Sequence, residues 1–230
     1  MFLKTDFHLH SKEDQRDIIS YTAKELIDYL VEKGYHTLSL TFHDSSYSDK
    51  KTKEYAKEKG ITLIPGIEKT IEGAHILILN AQPEELKEVT TLKDLEKIKR
   101  EDTLLVAAHP FFFINSLGKR LEKNIHLFDA IEYAHFYLSF LNFNKKAVKL
   151  AKRYNKPLLG NSDTHYLFQV GYTYSIVETE HNDTISIIKA IKEGKVMVKS
   201  MPLPFFTFLK ISIALFLFMS FKIWKRRWHY

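Results

Sequence analysis

The chain of 230 residues contains no cysteine. Disulfides and thiolate metal ligands are thereby excluded, and histidine and carboxylate remain as the only strong ligand types. No Gly-rich phosphate loop or dinucleotide fingerprint follows any strand-like run, which argues against nucleotide binding by those routes. The amino terminus MFLKTDFHLH lacks the basic region, apolar run and small-residue cleavage site of a secretory signal, so the body of the chain is expected in the cytoplasm. Acidic residues are missing from residues 201–230, where five of the 34 basic side chains lie, leaving 29 basic against 28 acidic in residues 1–200. The formal charge of +6 therefore does not describe the domain. A broad basic footprint is absent from it, and long nucleic acid is not an expected partner.

What is present suffices for one globular domain, expected over residues 1–200: 45% of the chain is hydrophobic and 27% charged. Residues 203–221, LPFFTFLKISIALFLFMSF, carry Lys210 as their single charge and precede a basic, aromatic tail over residues 222–230. As a helix this segment would reach roughly 28 Å, about one hydrocarbon thickness. Trp224 and Trp228 beside Lys225, Arg226 and Arg227 have the composition of an interfacial anchor. The expectation is a membrane-anchor helix, spanning or lying in the interface, and hence a membrane-associated cytoplasmic domain; a buried helix closing the domain is the alternative.

Residues 1–200 alternate short apolar runs with amphipathic stretches. Strands are expected at the amino terminus and over residues 36–43, 61–68, 74–80, 103–109, 128–135, 156–165 and 172–178, and helices over 22–34, 145–155 and 183–194, with a broken helix over 83–100. This is the pattern of an α/β fold with mostly parallel strands, as an open sheet or a barrel. His8 and His10, two apart on the first strand, share a face. His43, His109, His135 and His165 fall at or just beyond the ends of other runs, and His75 opens one. Carboxylates accompany them in Glu68, Glu132 and Asp163. Strand ends of a parallel fold converge on one rim, and imidazole with carboxylate suits Zn, Mn or Fe. His36, His126, His181 and His229 have the setting of ordinary surface or structural histidines.

DFHLHS, HD after the second strand, PGIE, AHP and GNSDTH, in this order, resemble the four motifs of the PHP (polymerase and histidinol phosphatase) superfamily over most of residues 1–180. The resemblance implies a distorted (β/α)7 barrel, here with a C-terminal hydrophobic helix, and two or three divalent ions at its rim. Carried over by position, His8, His10, Glu68 and Asp163 would surround one ion; Glu68, His109 or His75, and His135 a second; His43 and His165 a third. Two departures accompany it. The acidic residue or histidine that relatives place five or six positions after the second histidine is replaced by Gln15 and Arg16, between Asp14 and Asp17, which makes Asp14 a further candidate ligand. Where relatives read TDH, this chain has Phe42 before His43, so the carboxylate's role is lost or moved to Asp44. The implied activity is metal-dependent hydrolysis of a small phosphomonoester, of histidinol-phosphate or nucleoside-bisphosphate type, by a hydroxide held between ions, with Asp163, His165 and Glu68 as catalytic residues. Lys69, Lys119 and Arg120 are candidates to grip the substrate phosphate. The alternative is a membrane-tethered, catalytically weak binding or regulatory module that retains the fold.

Overall fold

The two-residue link Glu72–Gly73 decides much of the architecture. Both residues have positive φ, 50° and 75°, the conformation of a tight hairpin turn that joins strands only antiparallel. In the computed structural model, which describes residues 1–47 and 49–227 and side chains as far as residue 216, this hairpin joins β4 (Gly66–Ile71) to β5 (Ala74–Leu79). The other strands are β1 (Phe2–Leu9), β2 (Thr37–Leu40), β3 (Thr62–Leu63), β6 (Leu104–Ala107), β7 (Ala130–Ala134), β8 (Leu158–Asn161), β9 (Thr173–Glu178) and β10 (Val196–Ser200).

They form two five-stranded sheets, ordered β10-β9-β1-β2-β3 and β4-β5-β6-β7-β8. The expectation of a (β/α)7 barrel with mostly parallel strands is corrected here. The pairs β4–β5, β5–β6, β1–β9 and β9–β10 are antiparallel, and no closed barrel forms among the described residues. Single parallel bridges link the sheets at Leu9–Thr164 and His43–Glu68. The reason is local: the ladder gives way where the chain must turn side chains inward, and β1 shifts register between Asp6 and Leu9, where the first histidine lies.

Strands β5 and β6 are buried on both faces and read accordingly as continuous apolar runs. Ile76, Ile78, Leu105 and Ala107 pack outward under α3 (Pro83–Glu88), α4 (Leu95–Ile98), α5 (Arg120–Lys123) and α6 (Asn144–Arg153). Leu77, Leu79, Leu104 and Val106 point inward to meet Phe7, Leu159 and the apolar face of α7 (Thr184–Lys192). Helices α1 (Ala23–Glu32) and α2 (Lys50–Glu58) cover β2, with Leu26, Ile27 and Leu30 fully buried. α1 is capped by Thr22 and Glu25, each side chain satisfying the other residue's backbone N–H. The expected break in 83–100 falls between α3 and α4, whereas α2 and β10 were not anticipated.

Gly66 closes the seam between the sheets. A Cβ there would lie 2.2 Å from Ser39 Oγ, 2.7 Å from Leu79 Cδ2 and 2.9 Å from Thr41 Cγ2. Only a glycine lets β2 and β4 approach this closely, and Glu68 follows two residues later on the same face.

The C-terminal helix α8 (Phe205–Arg227) begins against the domain. Leu203 N–H donates to Tyr137 O, Phe208 stacks on Phe136 with ring centroids 4.3 Å apart, and Ile211 is buried beside them. Among the described residues no helix is long and apolar enough to cross a membrane, so the expected anchor over 203–221 gains no support. Its early turns bury apolar groups on protein instead. The side chains of Trp224, Lys225, Arg226 and Arg227, and all of residues 228–230 including Trp228, lie outside the described residues.

Candidate metal centre

His8 and His10 leave the end of β1 with their rings 5.2 Å apart and fully buried. Each offers Nδ1 to a carboxylate: His8 lies 2.9 Å from Glu132 Oε1, and His10 2.9 Å from Asp14 Oδ2. A carboxylate at Nδ1 fixes the proton there, so Nε2 presents a lone pair. Both Nε2 atoms and Glu68 Oε2 are buried without a hydrogen-bond partner among the described residues. They also converge, His8 Nε2 lying 3.1 Å from Glu68 Oε1 and His10 Nε2 3.4 Å from Oε2. Imidazole lone pairs turned onto a carboxylate in a dry interior are costly. A divalent cation resolves that cost, and the donor set, nitrogen and oxygen only, fits one.

Four overlapping groups have ligand atoms within 4.8 Å of one another: His8, His10 and Glu68; His8, His109 and Asp163; His43, Glu68 and His75; and His10, Asp17, His43 and His165. Because they share His8, His10, His43 and Glu68, they are faces of one centre. Glu68 is its hub, with Oε1 2.6 Å from His75 Nδ1 and 3.1 Å from His109 Nε2, and Oε2 3.0 Å from His43 Nε2. Burial alone would raise its carboxyl, yet His8, His75, His43 and the His109 hydrogen bond hold it well below the ordinary range. Asp163 is likewise depressed: against burial, His8, His10 and His165 prevail. In the opposite sense, His43 is pushed up to about 12 and His165 to about 9, because Glu68, Asp14, Asp17 and Asp163 outweigh desolvation.

Of the nine ligand candidates, eight are brought together and His135 stands apart. Gln169 Oε1 accepts the N–H groups of His165 and Tyr166, so its amide nitrogen faces His135 Nε2 at 2.9 Å and occupies that lone pair. Burial lowers His135 to about 4, keeping it neutral. Asp14 belongs to none of the groups; its Oδ2 accepts from the His43 backbone N–H at 3.0 Å and meets the Nδ1 of His43 and of His10 at 2.9 Å. Asp14, not Asp44, therefore orients the second-strand histidine that lacks its TDH carboxylate. Asp17, one position beyond Gln15 and Arg16, brings a carboxylate into the group with His10, His43 and His165. Glu132, which sequence reasoning noted without assigning a role, holds three partners: the His8 ring, the Asn161 amide at 2.9 Å and the His109 backbone N–H at 2.5 Å. Its signal was its place in IEYAH, at the interior face of a strand end. Asp6 was missed too; it accepts from the N–H groups of His8 and Ser162 and so ties the HLH strand to the SDTH loop.

The backbone is strained at the centre. His109 and Asp163 take φ values of 24° and 46°, in the left-handed region that costs a residue with a Cβ about 1–3 kcal/mol. The Glu132 contact to His109 N–H is one restraint that holds it. The centre opens on one side: the side chains of Asp163 and His165 are 28% and 26% exposed, whereas those of His75 and His109 are 7% and 9%. Lys69 alternates with Glu68 along β4 and leaves on the outward face shared with Ile67 and Ile71. Arg120 is engaged by the Glu72, Ser116 and Leu117 carbonyls, and Lys119 is exposed beside it.

Comparison with known proteins agrees with the motifs. The family described as PHP-associated matches residues 142–196, a stretch that carries Asp163 and His165. An uncharacterised protein of Methanocaldococcus jannaschii is 26% identical over 136 residues, 52% of this chain and 75% of that protein. A two-domain Bacteroides vulgatus protein, described as containing a predicted PHP-like metal-dependent phosphoesterase, superposes with a TM-score of 0.66 at 20% identity over 87% of this chain and 65% of that one. The lesion-specific endonuclease Q of Pyrococcus furiosus does so with 0.61 at 17% identity, over 86% and 58%. The chain thus spans less than two thirds of either structure's length. An endonuclease Q structure holds a 27-mer duplex with an abasic lesion at the active site, so the fold by itself lends no support to excluding nucleic acid.

Proposed function

We propose that this chain, whose fold is of the PHP type, is a metal-dependent phosphoesterase acting on a small phosphomonoester of histidinol-phosphate or nucleoside-bisphosphate kind. The observation that carries this reading is the convergence of His8 Nε2 and His10 Nε2, both buried and without a hydrogen-bond partner among the described residues, on the buried Glu68 carboxylate. Divalent ions bound among such ligands supply a hydroxide at neutral pH and neutralise charge on the phosphoryl oxygens. The chain's own part is preparatory. Glu132 and Asp14 keep the Nδ1 protons of His8 and His10 in place, so that Nε2 faces the centre. Burial excludes bulk water and strengthens every charge interaction within. Asp163 and His165, at the open side, are the ligand candidates that an incoming substrate meets first. The near neutrality of residues 1–200 favours a small substrate over a long polyanion.

The test is reconstitution of the full chain with Zn, Mn or Fe, followed by metal analysis and phosphate release from histidinol phosphate, nucleoside bisphosphates and phosphotyrosine peptides, with an abasic duplex as the nucleic-acid arm. About two or three ions per chain and phosphate release abolished by Glu68→Gln are expected. A loaded protein that cleaves only the duplex, or nothing, would overturn the reading, the latter in favour of a binding or regulatory module.

A further inference from the structure

We infer that Arg16 is the anion clamp of this centre and selects a terminal phosphate. The inference rests on the phosphoesterase reading and deepens it. Arg16 lies in the loop that carries Asp17, and its Nη1 pairs with Asp44 and approaches Thr70 Oγ1 at 3.5 Å. These contacts bracket the centre: Asp44 follows His43, and Thr70 stands two residues beyond Glu68 on the same face of β4. Asp44 is itself fixed, with φ 51° and hydrogen bonds from Thr70 N at 2.6 Å and Thr70 Oγ1 at 2.8 Å. A rigid carboxylate thus holds one guanidinium nitrogen of a side chain that is 48% exposed. Among the described residues no side-chain or backbone acceptor engages its Nε or Nη2, so the other edge of the planar fork is available to a ligand.

An exposed ion pair of this kind contributes little to stability, which leaves the placement unexplained by folding alone. Its chemistry fits an oxyanion with more oxygens than the ions engage. A phosphomonoester has three terminal oxygens, so two can face the centre while the third, still charged, meets the guanidinium edge. A phosphodiester has two and offers none to spare. Arg16 therefore discriminates monoester from diester.

Arg16→Gln and Arg16→Lys in the metal-loaded full chain test this by calorimetric binding of inorganic phosphate, metal content, and turnover of p-nitrophenyl phosphate against its bis-ester. Arg16→Gln is expected to weaken phosphate binding and raise the monoester KM by about tenfold to a hundredfold, the size of a lost charge-assisted contact. Metal content should stay at the wild-type level, the diester should be little affected, and Arg16→Lys should recover part of the loss. Wild-type phosphate affinity in Arg16→Gln would overturn the clamp. So would a fall in metal content in both variants, which would make Arg16 a pin for the Asp17 loop. Phosphate binding decides the matter even if the loaded wild type hydrolyses nothing, an outcome that would sink the phosphoesterase reading alone.

Discussion

Glu132 does at the residue scale what no ligand does. It touches the ring of His8, the strained backbone of His109 and the amide of Asn161, and so coordinates three strand ends without facing the centre. Glu132→Gln keeps the shape but loses the charge-assisted acceptor at His8 Nδ1. Metal affinity should fall about tenfold to a hundredfold, measured by competition with a chelating indicator; unchanged affinity would mean that His8 is oriented by packing alone. The HLH and SDTH candidates could be read from the sequence because histidines recurring at strand ends are chemically conspicuous. Glu132, Asp6 and Asp17 could not be assigned in the same way. Carboxylates are common, and only the folded distances separate one that orients an imidazole from one that is merely solvated.

At the scale of elements, the seam between β2 and β4 carries the most consequence per atom. Gly66→Ala would place a Cβ against Ser39, Leu79 and Thr41 at distances no real Cβ tolerates. A loss of about 1–3 kcal/mol is expected on denaturant unfolding, together with weaker metal binding, because Glu68 rides on the displaced strand. The hairpin that makes β4 and β5 antiparallel is present in the sequence as Glu72–Gly73, but the alternation of apolar runs and helices points to mostly parallel strands and masks it. β10 escaped notice for a different reason: its residues alternate between exposed and half-buried, and an edge strand leaves only a weak apolar trace.

For the whole molecule, the centre lies where the two sheets meet, next to both bridges that connect them. Candidate ligands are drawn from both sheets, so an ion held there would also tie the sheets together. Chelation should lower the melting temperature, and the gap between loaded and chelated protein should widen as pH rises. In the chelated protein, His165 is raised to about 9 and His43 to about 12 by carboxylates. Their folded pKa values lie above the unfolded value of about 6.5, so this stabilisation is fully present below that pH and declines above it, the share of His165 being gone by about 9 and that of His43 only by about 12. Metal binding has the reverse dependence, because protons compete for the same imidazoles. Melting scans of both forms between about pH 6 and pH 9.5 decide it; a constant gap would show that the cluster's charges do not couple to folding.

The sequence by itself determined the donor chemistry. With no cysteine and with histidines recurring at strand ends, a centre of nitrogen and oxygen ligands was the reading those residue types allowed, and the ordered motifs pointed to the PHP-type fold. Tertiary structure decided which donors meet. It left His135 outside the four groups with its Nε2 toward Gln169, gave Asp14 to the imidazoles as an acceptor, brought Asp17 beside His10, His43 and His165, and turned the start of α8 onto Phe136. The physical reason is that ligand type is a property of a side chain, whereas coordination depends on distances between segments up to 156 residues apart, which no local pattern encodes.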